Sequence, residues 1–363
     1  MQLRIPGPTP LPDAVREALA RPMINHRGPE FAELITDVTR RLKPFFQTSN
    51  DLLILTASGT GGLEAAVVNT LSPGDRVLAV SIGYFGDRFA EIARLFGAEV
   101  VKLSVEPGQA ADPAVVARAL AEQGPFKAVL VTHNETSTGV TNDLAAIARE
   151  VRRTDALLLV DGISSVGSIE LRTDEWGCDV VVAGSQKGWM VPPGLTMLTM
   201  SRRAWDAYAA ARMPRFYWDL GKARAALERG QTPATPAISL LFALQTSLGL
   251  MEREGLAAIA ARHHRCAERV RQGVRALGLE LFAEEAHASD TVTAVRVPED
   301  VDAARLLRVM RESGVVIAGG QGALAGRIIR IGHLGWVTEA DIDEVLAALE
   351  RALPLARRTP LAH

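Results

Sequence analysis

Residues 179–187 read Asp-Val-Val-Val-Ala-Gly-Ser-Gln-Lys: an acidic residue, four small apolar residues, and a turn that delivers a lysine. The run is too short for a helix and rich in β-branched residues, which marks a buried strand. Similar runs lie on either side of it. Leu52–Leu55 precedes a helical pattern at 63–71, and Val77–Val80 precedes another at 88–96. Ala128–Val131, a helix near 143–153, Ala156–Val160, Val180–Val182 and Thr196–Met200 continue the series. Apolar strands that each feed a helix predict an α/β fold, with a mainly parallel sheet covered on both faces. In such sheets ligands gather beyond the carboxyl ends of the strands, so the residues there are the ones to read for chemistry.

Further along, a helical stretch runs through roughly 238–276 with a break at Gly255. Beyond it, strands at 291–297, 315–318 and 328–331 alternate with helices near 302–313 and from Glu339, predicting a small α+β domain. The expected division is an arm at 1–15, a large domain at 16–254 and a small one at 255–363.

The chain has 363 residues, 48% of them hydrophobic, and a formal charge of −2, which gives no net pull toward nucleic acid or anionic membrane. Small-molecule partners are expected instead. Met1–Pro10 shows no charged leader ahead of an apolar core, and no apolar run is long enough to span a bilayer, so a soluble, cytoplasmic protein is expected. Cys178 and Cys266 lack metal or disulfide spacing and read as small buried hydrophobes.

Three features carry chemistry. Thr56-Ala-Ser-Gly-Thr-Gly-Gly62 joins a strand to a helix; its small residues, hydroxyls and helix N-terminus suit a phosphate, although alone it reads more readily as a plain turn capped by Ser58 or Thr60. Asp161 ends an apolar strand, where a carboxylate either serves a turn or binds a protonated ring nitrogen. Lys187 is one of only five lysines in the chain, and an amine at a desolvated strand end either snorkels to solvent or attacks a carbonyl. Phosphate, protonated ring nitrogen and aldehyde together describe one ligand, pyridoxal 5'-phosphate.

The chain also resembles a known family, the class V (fold-type I) pyridoxal-phosphate aminotransferases, in particular the alanine:glyoxylate and serine:glyoxylate (serine:pyruvate) group. The matching stretches, in order, are Pro6–Thr9, Asn25–Phe31, Ala57–Gly61, Thr132–Gly139, Val160–Ser165, Gly184–Lys187, Pro192–Gly194 and Arg330–Gly335. The resemblance implies a seven-stranded sheet in the large domain and a homodimer with shared sites. It implies that Lys187 carries the cofactor as a Schiff base, Asp161 pairs with the pyridine nitrogen, and Ser58, Gly59 and Thr60 hold the phosphate with Gln186 nearby. Thr136 would stand near the ring hydroxyl, Phe85 would stack on the ring where relatives carry tryptophan, with Tyr84 able to share the role, and Ile163 would pack on the opposite face. Arg330 would grip the substrate carboxylate, with Gly7 close to the substrate. Thr235 would reach the phosphate across the dimer.

The implied reaction is ping-pong transfer of an amino group from alanine or serine to glyoxylate or pyruvate. Two related enzymes compete with it: a 2-aminoethylphosphonate:pyruvate aminotransferase, and a cysteine desulfurase-like lyase, which would need a reactive loop cysteine. A cofactor-binding protein without catalysis is the third alternative. Tyr217, Trp218 and His26 are further candidates for shaping the pocket.

Overall fold

The computed structural model describes residues 1–358. Its central sheet comprises β1 (Asp51–Ala57), β2 (Arg76–Ser81), β3 (Glu99–Ser104), β4 (Ala128–Thr132), β5 (Leu157–Asp161), β6 (Val180–Gly184) and β7 (Gly194–Met200). The spatial order is β1-β7-β6-β5-β4-β2-β3. Neighbours run parallel except at β7, which is antiparallel to both β1 and β6. The connection from β6 to β7 holds no crossover helix. Ser185 closes it instead, its hydroxyl donating to Pro192 O at 2.7 Å and accepting from Leu195 N at 3.2 Å, so the chain turns straight back.

Alternate residues of each strand enter opposite layers. Leu158, Val160, Val181 and Ala183 pack into one apolar cluster, while Leu157, Leu159, Val180 and Val182 pack into the other. The helix Pro29–Phe46 covers the first face through Phe31, Leu34, Ile35, Val38 and Leu42, spaced at three and four residues. Gly59–Thr70 and Tyr84–Leu95 cover the second. Two of these elements go beyond the run-by-run sequence reading. The Pro29–Phe46 helix lay behind a motif read only for its resemblance. Strand β3 lies at the sheet edge, where Glu99 and Ser104 stay exposed, so it lacks the apolar run that marks its neighbours.

At Gly255 (φ 83°) the chain passes from the helix Ile238–Glu254 to Leu256–Ala276. Leu256–Ala276 contributes Cys266, Val270 and Val274 to a separate cluster, with the helices Ala303–Glu312 and Glu339–Ala356. That cluster backs an antiparallel sheet in which Ile328–Gly332 lies between Val292–Arg296 and Ala318–Gly319. The strand expected at 315–318 is divided: Val315–Val316 pairs in parallel with Gln2–Leu3, and only Ala318–Gly319 joins Ile328–Gly332. The N-terminal arm is thus fastened to the C-terminal part of the chain, with Arg4 also ion-paired to Asp341 at 2.7 Å. Among the described residues no helix is long and apolar enough to cross a membrane.

Candidate active site

Strands β5 and β6 end side by side and each leads to one chemical group. Asp161, the last residue of β5, is buried, and its Oδ1 accepts the Ile163 N–H at 3.0 Å. Lys187 follows β6 by one turn, and its Nζ donates to Pro6 O. The arm continues past it, with Thr9 N on Gln186 O at 3.1 Å and Thr9 Oγ1 on Lys187 O at 3.0 Å. Gly7 makes this close passage possible: at its φ of 121°, a Cβ would stand 2.7 Å from Lys187 Nζ.

Burial lowers the Lys187 pKa from 10.5 to about 8, with the Asp161 charge opposing the shift. Burial likewise pushes Asp161 from 3.8 to about 7; the Ile163 N–H, Lys187 and Arg88 oppose that rise, and Glu135 adds to it. Burial thus brings the two groups, from opposite directions, toward neutral pH.

Both residues line one cavity of about 270 Å³, together with Ser58, Gly59, Thr60, Phe85, Thr136, Ile163 and Gln186. Ser58 occupies the N-cap position of Gly59–Thr70 but makes no side-chain cap bond, so its hydroxyl is not engaged by the helix. A Cβ at Gly59 would lie 2.5 Å from Ile163 Cδ1, so glycine here lets the turn and the Ile163 side chain pack closely. Gln186 Oε1 is buried without a hydrogen-bond partner among the described residues.

Phe85 stands in the first turn of Tyr84–Leu95 and lines the cavity, whereas Tyr84 is exposed and meets Phe85 edge-on, so Phe85 is the aromatic that faces the cavity. Phe85 is placed by a carboxylate that the sequence reading left without a role. Glu135, fully buried, accepts the backbone N–H groups of Phe85 at 2.9 Å and Gly86 at 3.1 Å, and both the N–H and hydroxyl of Ser137. Its pKa is raised by burial, which these bonds partly offset.

Arg330, in the middle of Ile328–Gly332, is brought from far along the chain to Thr136. Its Nη1 donates to Thr136 O at 3.0 Å and its Nε to Gly319 O at 2.8 Å, with Gln321 Oε1 at 3.3 Å from Nη1. Arg88 also lines the cavity and was missed in the sequence; an arginine four residues into an amphipathic helix looks like a surface charge until the helix is docked.

Other candidates lie elsewhere. Thr235 does not line the Lys187 cavity of its own chain; it lines a second one with Ile35, Leu55 and Tyr217. Trp218 donates Nε1–H to Glu64 at 2.8 Å, and it and Tyr217 are both outside the Lys187 cavity, as is His26. Cys266 is fully buried on a helix, where desolvation raises its pKa to about 11, and Cys178 is buried with its thiol pushed up likewise. Neither is the exposed, low-pKa thiol that a desulfurase uses.

Residues 14–345 match the family described as aminotransferase class-V. This chain is a class V aminotransferase. It is 44% identical to the soluble hydrogenase 42 kDa subunit of Anabaena cylindrica, over 97% of this chain and 93% of that one. It is 41% identical to the serine--glyoxylate aminotransferase of Hyphomicrobium methylovorum (97% and 89% covered) and 40% to the L-aspartate--glyoxylate aminotransferase of Paracoccus denitrificans (96% and 90%). Among solved structures, the alanine--glyoxylate aminotransferase of Nostoc sp. superposes with a TM-score of 0.93 at 31% identity, covering 96% of this chain and 94% of that one. The fold is that of the fold-type I aminotransferases, and the family implies pyridoxal phosphate. The residues present fit it: the Ser58 hydroxyl is not engaged by its own helix, Gln186 Oε1 is buried and unpartnered among the described residues, and amine and carboxylate stand at adjoining strand ends of one cavity.

Proposed function

We propose that this aminotransferase moves an amino group from serine or alanine to glyoxylate, with pyruvate as an alternative acceptor, using pyridoxal phosphate held at Lys187. The observation that carries the reading is the meeting of Lys187, Asp161 and the Ser58–Thr60 turn around one cavity, with Arg330 anchored to that cavity's Thr136. Serine, alanine and glyoxylate all stand in the names of relatives; aspartate, named in another, is the donor to test beside them.

Each residue has a defined task in this reading. Pyridoxal phosphate supplies an aldehyde for the donor amine and a conjugated ring that accepts the electron pair left at Cα. Lys187 Nζ, its proton loosened by burial, removes the Cα proton of the donor. Asp161 holds a proton on the ring nitrogen by a charge-assisted hydrogen bond. Ser58, Gly59, Thr60 and Gln186 would hold the phosphate end, Thr136 would serve the ring hydroxyl, and Phe85 and Ile163 would pack against the ring. The Arg330 fork orients the donor carboxylate, with Gly7 keeping the arm close but clear of it. The amine nitrogen ends on the acceptor, so serine and glyoxylate give hydroxypyruvate and glycine.

The same reading divides the chain near residue 255 and makes the protein a cytoplasmic homodimer. Thr235, exposed in its own chain and remote from its own Lys187 cavity, would complete the phosphate site of the other subunit. Assays of serine, alanine, aspartate and 2-aminoethylphosphonate against glyoxylate and pyruvate test the proposal. Transfer from serine or alanine to glyoxylate is expected; transfer from the aminophosphonate alone, or from no donor, would overturn it.

A further inference from the structure

We propose that Arg88 is the countercharge of the phosphate cradle, so that the cavity holds the cofactor's phosphate as a dianion; the inference rests on the pyridoxal-phosphate reading above. Ser58, Gly59 and Thr60 offer only neutral donors, and a doubly charged group in a partly desolvated cavity requires a cation. The cationic side chains that line this cavity are Lys187 and Arg88. Lys187 stands with Asp161 and is committed to the aldehyde end. Arg88 reaches from Tyr84–Leu95 across to Gly59–Thr70, where its Nη1 donates to Thr60 Oγ1 at 3.2 Å. That bond occupies a lone pair of the Thr60 hydroxyl and leaves its proton free to donate to another acceptor.

The guanidinium is fixed without being neutralised. Its carbon lies 4.9 Å from the centroid of the Phe85 ring and 5.1 Å from that of Tyr84, so two aromatic faces hold it. The adjacent carboxylate, Asp87, is drawn off by Lys102 at 2.8 Å and by the Ser81 hydroxyl at 2.7 Å. The bond to Thr60 is the one polar contact of Arg88 among the described residues. The four remaining guanidinium hydrogens have no protein acceptor among the described residues, and a planar fork suits a phosphate. Arg88 thus ties the phosphate end to the stacking aromatic, because the same side chain contacts Thr60 and Phe85.

The test compares pyridoxal phosphate with pyridoxal, which lacks the phosphate, on cofactor-free wild type, Arg88→Gln and Arg88→Lys, with visible absorbance reporting binding. For Arg88→Gln, pyridoxal phosphate should bind about 10- to 100-fold more weakly, the loss of a charge-assisted hydrogen bond. Pyridoxal should bind as to wild type, and Arg88→Lys should fall between. The phosphorus-31 resonance of the loaded wild type should stay at its dianion position across neutral pH and titrate in Arg88→Gln. Equal weakening of both ligands would reduce Arg88 to a support for Phe85 and overturn the proposal. Unchanged cofactor affinity with a raised KM for aspartate alone would also overturn it, placing Arg88 on the side chain of a dicarboxylic donor. Wild type that gains no visible absorbance with pyridoxal phosphate would instead sink the function proposed for Lys187. Melting of the cofactor-free variants at the wild-type temperature shows that they are folded.

Discussion

Arg330 and the Ser58–Thr60 turn are both proposed to hold anions, yet the chain prepares them in opposite ways. Arg330 is a buried charge fixed by carbonyls of the neighbouring strand at Gly319 and of the distant Thr136, which orient its fork before any ligand arrives. The Ser58–Thr60 turn is local: backbone and hydroxyls at the start of one helix, with Arg88 leaning in from the next. A pre-oriented ion pair gives directional selectivity for a carboxylate, whereas a helix N-terminus with an added cation gives affinity for a terminal phosphate. The two sites should therefore fail separately, one in donor KM and the other in cofactor retention.

The most severe test removes the group between them. Lys187→Ala should abolish transfer, by at least about 10⁴-fold, because nucleophile and base are the same atom. The variant should still bind pyridoxal phosphate without the wild-type visible band, so the two anion sites can be compared by binding alone. Asp161→Asn comes next: kcat should fall about 10²- to 10³-fold through lost electrostatic support of the ring, while donor KM changes little. Exchange of the donor Cα proton, followed by deuterium incorporation, checks this step directly, and wild-type exchange would remove Asp161 from it.

Arg330→Lys should lower kcat/KM about 10- to 100-fold, mainly through KM, because an ammonium cannot reproduce the fork. Ser58→Ala should instead weaken cofactor binding by less than about tenfold and leave donor KM alone. If both variants shift donor KM equally, the two anion sites are not independent and the comparison fails.

A smaller effect is expected in stability against pH. In cofactor-free protein the folded Asp161 binds its proton more tightly than the unfolded chain does, so its contribution to stability should fall as pH rises from about 3.8 to about 7. Lys187 is shifted the other way. Its unfolded form binds the proton more tightly, so its contribution should make stability rise from about 8 to about 10.5. The difference between the melting curves of wild type and Asp161→Asn across this range isolates the Asp161 share, because Glu135, raised in the same direction by burial, keeps its own contribution in both. The smallest change in activity is predicted for Cys266→Ala, which should leave transfer intact and cost about 1 kcal/mol or more of stability, measured by denaturant titration, through the small cavity it leaves.

Much of this arrangement was legible in the sequence. The strand runs at 128–131, 156–160 and 180–182 are apolar throughout because their strands are buried on both faces, and polar residues follow them because the chain there lines the cavity. Asp161 and Lys187 could be read for that reason. Glu135 and Arg88 could not: a carboxylate beside Thr136 and an arginine on a helix carry no pattern of their own. Glu135 acquires its role only when the helix Tyr84–Leu95 brings the Phe85 and Gly86 amides to it, and Arg88 only when that helix lies beside Gly59–Thr70.

The sequence by itself determined the α/β architecture, the glycine-lined turn at 58–62 and the strand-end pair of Asp161 and Lys187, because these follow from local periodicity and from backbone permissiveness. Tertiary structure alone decided where Arg330 points, that Phe85 rather than Tyr84 lines the cavity, and that the arm at Pro6 and Gly7 closes over Lys187. Those placements depend on hydrogen bonds and close approaches between segments far apart in the chain, and no local pattern encodes a partner that only folding brings near.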